Sequence, residues 1–339
     1  MTTINHPIFK SNNDGDLKLE SGEIDASQQF TAQIWKMWEA GKPVGVWMKK
    51  KPYYVPGQIP LLIFNLSKPG LENPKVRLAI AYSIDYPNIA STAMSDYSDP
   101  ANASLIVPTG YESKFYDSAA VQSEGWKFDP EKAVQILEGE LKAKKGSDGI
   151  YELPDGTKLG GWKLITPTGW TDWNTACEIV AKSAKEVGIG ISTEFPQFPT
   201  MFAKLQNGDF DTAMYSYTGV NPASPWIRFR DAMDDRGVPA VGKTAFWNYN
   251  RFKNAAVAAQ VDAAAAAKSD AEAKTAYSAL DKIYRENIPV VPLMYRPLDF
   301  YEFNESNWTN FPTEENPYAP PMWQGAGIQW LFKIKKVGT

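Results

Sequence analysis

Cysteine and histidine are nearly missing from this sequence of 339 residues, which has one of each. A single cysteine, Cys177, excludes an intramolecular disulfide and any multi-cysteine metal cluster. Cys177 lies among apolar residues with helical spacing, so we expect a buried, inert thiol rather than a nucleophile. His6 would have to serve any Ser-His-Asp or Cys-His site, and a zinc site with two histidines is impossible.

Long apolar runs and an excess of one charge are also missing. No stretch of about 18 apolar residues occurs, so the sequence predicts no membrane-spanning helix. The 35 Lys and Arg residues face 39 Asp and Glu residues, and a net charge of -4 gives no electrostatic footprint for nucleic acid. We therefore expect no nucleic-acid partner.

Motifs for cofactors and metals are lacking as well. The sequence has no G-x-x-x-x-G-K-[ST] loop and no G-x-G-x-x-G after a predicted strand. Residues 12–16 read Asn-Asn-Asp-Gly-Asp, but the spacing around Gly15 does not fit a calcium loop, so we interpret them as a turn. We predict no cofactor and no metal.

Aromatic rings are present in quantity, with 12 Trp, 16 Tyr and 16 Phe. A hydrophobic fraction of 43% can form a large core, which excludes wholesale disorder. A chain so rich in rings and so poor in His and Cys is better suited to binding than to catalysis, and we predict that it is not an enzyme. A glycosidase using Asp172 with a second acid stays open, because sequence cannot show two carboxyls facing each other.

Helix and strand signals alternate along the chain, which predicts an α/β architecture. Caps, apolar spacing and propensity predict helices over 74–84, 130–146, 172–188, 252–268 and 270–286. Short apolar runs predict strands over 61–66, 162–166, 189–194, 210–217, 290–294 and 300–303.

Two short extended segments edged by proline, 59–68 and 289–297, have the pattern of crossings between lobes. We predict that 69–290 forms one compact lobe and that 1–68 and 291–339 pair into another. The tail over 304–329 is rich in aromatic and turn-forming residues, which favours a long ordered loop.

The stretch Asn73-Pro74-Lys75-Val76-Arg77-Leu78-Ala79-Ile80-Ala81-Tyr82-Ser83-Ile84-Asp85 resembles the signature helix of the family 5 extracellular solute-binding proteins. These are the peptide, nickel and oligosaccharide receptors of ABC importers. Further matches follow in the family's order at 128–133, 153–156, 187–189, 208–211 and 284–293. The resemblance spans about 1–335.

The resemblance implies a two-lobed, class II periplasmic-binding-protein-like α/β fold. The second, ligand-binding lobe would be complete over 69–290, and the first would be partial, formed by 1–68 and by the return strand and tail over 291–339. It also implies ABC permease subunits as partners and a periplasmic or extracellular location. Residues 8–25 resemble the middle of such a protein, and no signal peptide is present at Met1. We therefore expect the chain to lack an N-terminal portion, which could be a further partner.

The tail over 308–318 and the run Gly169-Trp170-Thr171-Asp172-Trp173 resemble the cellobiose- and mannobiose-binding branch found in thermophilic bacteria. Peptide-binding members carry an acid in the stretch that corresponds to 215–222, and none stands there in this sequence. The resemblance therefore implies an oligosaccharide ligand of β-glucan or mannan type. An oligopeptide receptor, or a fragment without ligand affinity, is the alternative.

Sugars present apolar C–H faces and rings of hydroxyls, so their receptors need flat aromatic rings and hydrogen-bonding groups. Trp170 and Trp173 lie where a predicted strand gives way to a helix, the position that faces the cleft in two-lobed α/β proteins. Asp172 between them either caps the helix or accepts hydrogen bonds from hydroxyls. Asn174 is a candidate amide contact.

Two further aromatic groups are candidates. Tyr215 and Tyr217 alternate along the predicted strand 210–217, so one of its faces can line the cleft. Trp247 and Asn248 lie in the run Phe246-Trp247-Asn248-Tyr249-Asn250, which precedes the alanine-rich helix, where the resemblance places a ligand loop. For each of these rings, packing in the core is the alternative.

Overall fold

The computed structural model describes residues 3–217, 225–297 and 299–338. Helices and strands follow one another in this order: α1 (Asn12–Ser21), β1 (Ala26–Ser27), α2 (Trp35–Glu39), β2 (Val44–Val46), β3 (Pro56–Gln58), β4 (Leu61–Phe64), α3 (Pro74–Ser83), α4 (Tyr86–Asn88), α5 (Ser118–Glu124), α6 (Pro130–Gln135), β5 (Lys144–Lys145), β6 (Tyr151–Glu152), β7 (Gly160–Ile165), α7 (Thr171–Glu186), β8 (Gly190–Glu194), α8 (Phe198–Asn207), β9 (Thr212–Tyr215), α9 (Trp226–Met233), α10 (Val257–Ala266), α11 (Asp270–Asn287), β10 (Val290–Pro292), β11 (Arg296–Pro297), β12 (Glu302–Asn304), β13 (Trp308–Thr309) and β14 (Lys335–Lys336). Single π-type turns continue α4 and α6 over Ile89–Ala93 and Ile136–Glu140, and 3-10 turns cover Gly110–Lys114 and Gly325–Phe332.

The main sheet has five strands in the order β10-β4-β9-β7-β8. Strands β9, β7 and β8 are parallel, whereas β4 is antiparallel to both of its neighbours, β10 and β9. All four residues of β4 are buried, as expected for an apolar strand inside a sheet. Because β10 points the same way as β9, β7 and β8, the carboxyl ends of four strands meet at one edge of the sheet.

Helices α3 and α11 begin where the sequence supplies caps. Asn73 accepts a hydrogen bond from the amide of Lys75 and is followed by Pro74, so α3 begins as predicted. Ser269 accepts from the amide of Glu272 at the start of α11. The predicted helix 270–286 is therefore confirmed almost to the residue.

Several predicted boundaries differ. Helix α1 occupies the stretch interpreted as a turn, because the Ser11 side chain caps it and Gly22 ends it in the left-handed conformation. The predicted helix 130–146 ends near Leu141 after a π-type turn. The alanine-rich helix begins at Val257 rather than at residue 252, since the amide of Phe252 bonds to the side chain of Asn248.

The predicted strands are present: those over 61–66, 189–194, 210–217 and 290–294 are shorter than predicted, β7 begins two residues earlier than predicted, and the strand expected over 300–303 lies at β12. That strand forms a second sheet, β1-β12-β2, beside a small separate core. Three buried rings form this small core: Tyr301, Phe303 and Phe311. Partly buried tryptophans pack around them, namely Trp47, Trp308, Trp323 and Trp330. The tail is thus ordered, as predicted, and mostly irregular.

The two segments predicted as crossings pair directly, since β4 and β10 are antiparallel neighbours. Next to them, β3 pairs with β11. The division of the chain into lobes at residues 68 and 290 stays a prediction. Within the described ranges, no helix is long and apolar enough to cross a membrane.

Candidate functional site

The carboxyl edge of the main sheet gathers side chains from four separate segments. Trp170 follows β7, Phe198 follows β8, Tyr217 follows β9 and Arg296 follows β10. In open α/β sheets, ligands bind in the crevice outside the carboxyl ends of the strands. This edge is therefore the candidate site.

Seven rings at this edge form one continuous aromatic cluster: Trp170, Trp173, Phe198, Phe202, Tyr215, Tyr217 and Tyr249. Trp170 stacks on Phe198 with ring centroids 5.6 Å apart, and Phe198 stacks on Phe202 at 5.5 Å. The interplanar angles of 18° and 12° make these three rings a nearly parallel stack. Trp173 meets Trp170 edge-on, with centroids 4.9 Å apart.

The members of the aromatic cluster differ in exposure. Phe198 is 38% exposed, and Trp170 and Phe202 are half-buried, so part of this three-ring stack faces solvent. Trp173, Tyr215 and Tyr217 are buried, which corresponds to the core-packing alternative for these three predicted rings. Burial also raises the pKa of Tyr215 and Tyr217. The buried rings support the stack from behind.

Asp172 does not cap α7, because the cap position is held by Trp170 without a side-chain hydrogen bond. Its Oδ2 instead accepts a hydrogen bond of 2.8 Å from Nε of Arg296, which lies on β11. Asp172 is 1% exposed, and its Oδ1 has no partner among the described residues. The centroid of the Phe300 ring lies 4.6 Å from the guanidinium carbon of Arg296. The result is an ion pair between a buried carboxylate and a half-buried guanidinium at the edge of the aromatic cluster.

The loop before α7 is held by the N-terminal segment. The amide of Asn12 donates to the carbonyl of Gly169 over 3.3 Å, and its side chain donates to Oγ1 of Thr171 over 3.0 Å. Gly169 has a φ of +81°, and a Cβ there would lie 2.5 Å from the carbonyl oxygen of Lys10. This close approach requires glycine. Residues far apart in sequence therefore fix the position of Trp170.

The two predicted asparagines serve the backbone. Asn174 donates to the carbonyl of Pro167 over 2.8 Å. Asn248 is fully buried; its Nδ2 donates to the carbonyls of Asp234 and Phe252, and its Oδ1 accepts from the amide of Phe252. In the described structure these amides shape the loops that carry the rings.

Trp247 lies apart from the aromatic cluster, and none of the described rings pairs with it. The guanidinium carbon of Arg230 sits 5.2 Å from its ring centroid and 5.4 Å from that of Trp226. Arg230 is also ion-paired with Asp231, whose pKa is raised to about 6 by burial. The structure therefore brings together six of the eight predicted residues, and Trp247 and Asn248 belong to a neighbouring group.

A cavity of about 1010 Å³ lies elsewhere, between segments 48–57 and 96–112. Its lining contains none of the predicted site residues. Tyr295 lines this cavity, whereas the next residue, Arg296, contacts Asp172. Successive residues of an extended segment point to opposite sides, so the cavity and the aromatic cluster lie on opposite faces of this segment. We take the carboxyl edge as the site, because strand ends converge there.

Sequence reasoning missed three members of the site: Phe198, Phe202 and Arg296. Phe198 follows the predicted strand 189–194, so the edge rule applied to that strand would have found it. No local signal marks Arg296, which is 124 positions from Asp172. Among the described residues, no group of three or more His, Cys, Asp or Glu side chains could hold a metal ion.

The mixed α/β fold matches solved structures of two-lobed solute-binding proteins. A family model of bacterial extracellular solute-binding proteins, family 5 (middle part), matches residues 1–230, and the chain belongs to this family. A search of curated proteins gave no match.

Solved structures include a relative with 30% identity, the mannohexaose-bound periplasmic oligopeptide-binding protein of an oligopeptide ABC transporter from Thermotoga maritima. The match covers 98% of this chain and 62% of that one, with a TM-score of 0.89. This chain therefore spans less than two thirds of that protein.

More distant structures share the fold. NikZ from Campylobacter jejuni in complex with Ni(L-His) is 20% identical over 89% of this chain and 56% of its own, with a TM-score of 0.72. AppA from Bacillus subtilis in complex with a nonapeptide is 18% identical over 91% and 57%, also with a TM-score of 0.72. These likenesses support the two-lobed α/β fold and no particular ligand.

Proposed function

We propose that this chain is the ligand-binding part of a non-enzymatic substrate receptor of an ABC importer, and that its ligand is an oligosaccharide. The observation that carries the proposal is the partly exposed stack of Trp170, Phe198 and Phe202 beside the ion pair of Asp172 and Arg296. Ring faces fit the C–H faces of sugars, and the ion pair supplies groups for hydroxyls.

The relative with bound mannohexaose supports a sugar of mannan or β-glucan type. In this proposal the receptor acts outside the cytoplasmic membrane, in the periplasm or extracellularly, and delivers its ligand to the permease subunits. Closure would occur about the paired segments β4 and β10, with 69–290 as one lobe. Cellobiose and mannobiose are the smallest ligands that the proposal includes.

An oligopeptide is the second candidate, because the same relative is described as an oligopeptide-binding protein. A peptide offers a charged amino terminus, which calls for a free carboxylate. In this site, Asp172 is already paired with Arg296. This pairing favours the uncharged ligand, and it also gives Asp172 a partner other than the second acid that a glycosidase would require.

The test is isothermal titration calorimetry with cellohexaose, mannohexaose, laminarihexaose and a mixed hexapeptide. The sugar proposal expects heat of binding with at least one sugar. We expect Phe198→Ala to weaken that affinity about tenfold, or about 1.4 kcal/mol. Phe128→Ala is the matched control, because Phe128 is 37% exposed and lies before α6, outside the aromatic cluster. Heat with the peptide and none with any sugar would overturn the proposal.

A further inference from the structure

Arg296 is the one cation that the described structure places in contact with Asp172. Its Nε lies 2.8 Å from Oδ2 of Asp172, and its guanidinium rests on the ring of Phe300. Arg296 belongs to β11, which pairs with β3, whereas Asp172 belongs to the first turn of α7. Two elements from different parts of the chain thus meet in one partly buried contact.

The charges around this contact are unequal. Asp299, three residues after Arg296, also feels its charge: burial raises the pKa of Asp299, and the Arg296 guanidinium lowers it. The charge of one guanidinium therefore acts on two carboxylates, although it is ion-paired with Asp172. Asp172 keeps one oxygen, Oδ1, without a hydrogen-bond donor among the described residues, although the side chain is 1% exposed.

A buried carboxylate without a cation is costly, because desolvation disfavours its charge. Such a group takes up a proton or draws in a cationic ligand. With Arg296 in place, Asp172 has its counter-charge, and Oδ1 is left to accept a hydrogen bond. An ammonium group that approached Oδ1 would also stand close to the guanidinium, and like charges repel.

We propose that Arg296 determines the ligand charge that the site accepts. It holds Asp172 as an acceptor for a neutral hydroxyl and excludes a ligand with an amine at that position. The inference deepens the proposed function and rests on it for the location of the ligand. The ligand class is then an uncharged, hydroxyl-rich oligosaccharide, and peptides with free amino termini and amino sugars are rejected.

The test compares two probes of the same length and β-1,4 linkage: cellohexaose and the hexamer of glucosamine at mildly acidic pH, where its amines are protonated. We expect the unchanged protein to prefer cellohexaose by at least tenfold. Arg296→Gln should reverse or abolish this preference through a gain in affinity for the amine probe. Arg296→Lys, which retains the positive charge, should keep the preference. A merely structural role for Arg296 would lower both affinities together.

The second variant is Asp172→Asn, which leaves the guanidinium as an unpaired cation. It should gain affinity for an anionic probe, the hexamer of galacturonate, and none for glucosamine. Circular dichroism confirms that each variant is folded. If the unchanged protein binds no neutral sugar, the proposed function fails, yet the gain of amine binding in Arg296→Gln still measures the role of Arg296. The inference is overturned if folded Arg296→Gln gains no amine affinity, or if Asp172→Asn gains no affinity for the anion.

Discussion

Replacing Glu302 by glutamine tests how the buried polar network between α1 and β12 stabilises the fold. Glu302 is fully buried; the Tyr54 hydroxyl lies 2.5 Å from its Oε1, and Oγ1 of Thr31 lies 2.9 Å from its Oε2. The same Oγ1 of Thr31 lies 2.8 Å from Oδ1 of Asp16. Because Thr31 has one hydroxyl proton for two carboxyl groups, a protonated Glu302 donates to Thr31, which in turn donates to Asp16.

Burial raises the pKa of Glu302 well above its usual range and that of Asp16 to about 6. The folded state therefore binds more protons than the unfolded state, so this stabilisation is present below pH about 4 and is lost as the pH rises through the folded values. For Asp16, a rise of about two units corresponds to about 3 kcal/mol, an upper value because the side chain is partly exposed.

In Glu302→Gln, the amide donates to Thr31 and its oxygen accepts from Tyr54 at every pH. We expect the free energy of unfolding of the unchanged protein to fall as the pH rises above about 4, and that of the variant to fall by about 1–3 kcal/mol less over the same range. Urea unfolding followed by tryptophan fluorescence measures this difference. Glu314→Gln, at an exposed carboxylate, is the control. An equal pH dependence in Glu302→Gln and the unchanged protein would show that protonation of Glu302 does not stabilise the fold.

Three further predictions concern the core and the loop before α7. Arg228→Met should lower the free energy of unfolding by about 3–5 kcal/mol, because it leaves Glu112, 2% exposed, without its ion-pair partner. Adding Glu112→Gln should recover much of that loss in urea unfolding. An unchanged free energy of unfolding in Arg228→Met would contradict this prediction. Gly169→Ala should lower the free energy of unfolding by about 1–3 kcal/mol, since φ at residue 169 is +81° and the new Cβ would clash with the carbonyl oxygen of Lys10. An unchanged thermal melting curve would contradict this prediction, because it would show that the loop can move aside. The thiol of Cys177 is fully buried, and this burial raises its pKa. The folded protein should therefore not react with Ellman's reagent until denaturant is added. Rapid reaction without denaturant would contradict the burial of Cys177.

Much of the main sheet could be predicted because its signals are local. The strands β4, β7, β8 and β9 coincide with short apolar runs, and α3 and α11 begin at the caps that the sequence supplies. Boundaries that depend on distant contacts could not be predicted. The alanine-rich segment has high helix propensity throughout, yet α10 begins five residues late because Asn248 binds the backbone of Phe252.

In the candidate site, too, features set by local sequence could be predicted, and features set by distant contacts could not. Trp170 and Trp173 could be found from their place after a predicted strand, and the structure puts them at the carboxyl edge. The sequence could not predict which ring of the cluster is exposed to solvent, because exposure depends on how rings from four segments stack. The partner of Asp172 also could not be predicted from the sequence. Helix capping depends on neighbouring residues, whereas Arg296 is brought to Asp172 by the pairing of β11 with β3.

Whether the aromatic cluster binds an oligosaccharide can be decided by calorimetry of the unchanged protein with mannohexaose and cellohexaose against a hexapeptide, repeated with Phe198→Ala and Phe128→Ala. We expect saturable heat with a sugar, none with the peptide, and a loss of affinity confined to Phe198→Ala. Peptide binding without sugar binding, or sugar binding that Phe198→Ala leaves unchanged, would contradict an oligosaccharide site at the aromatic cluster.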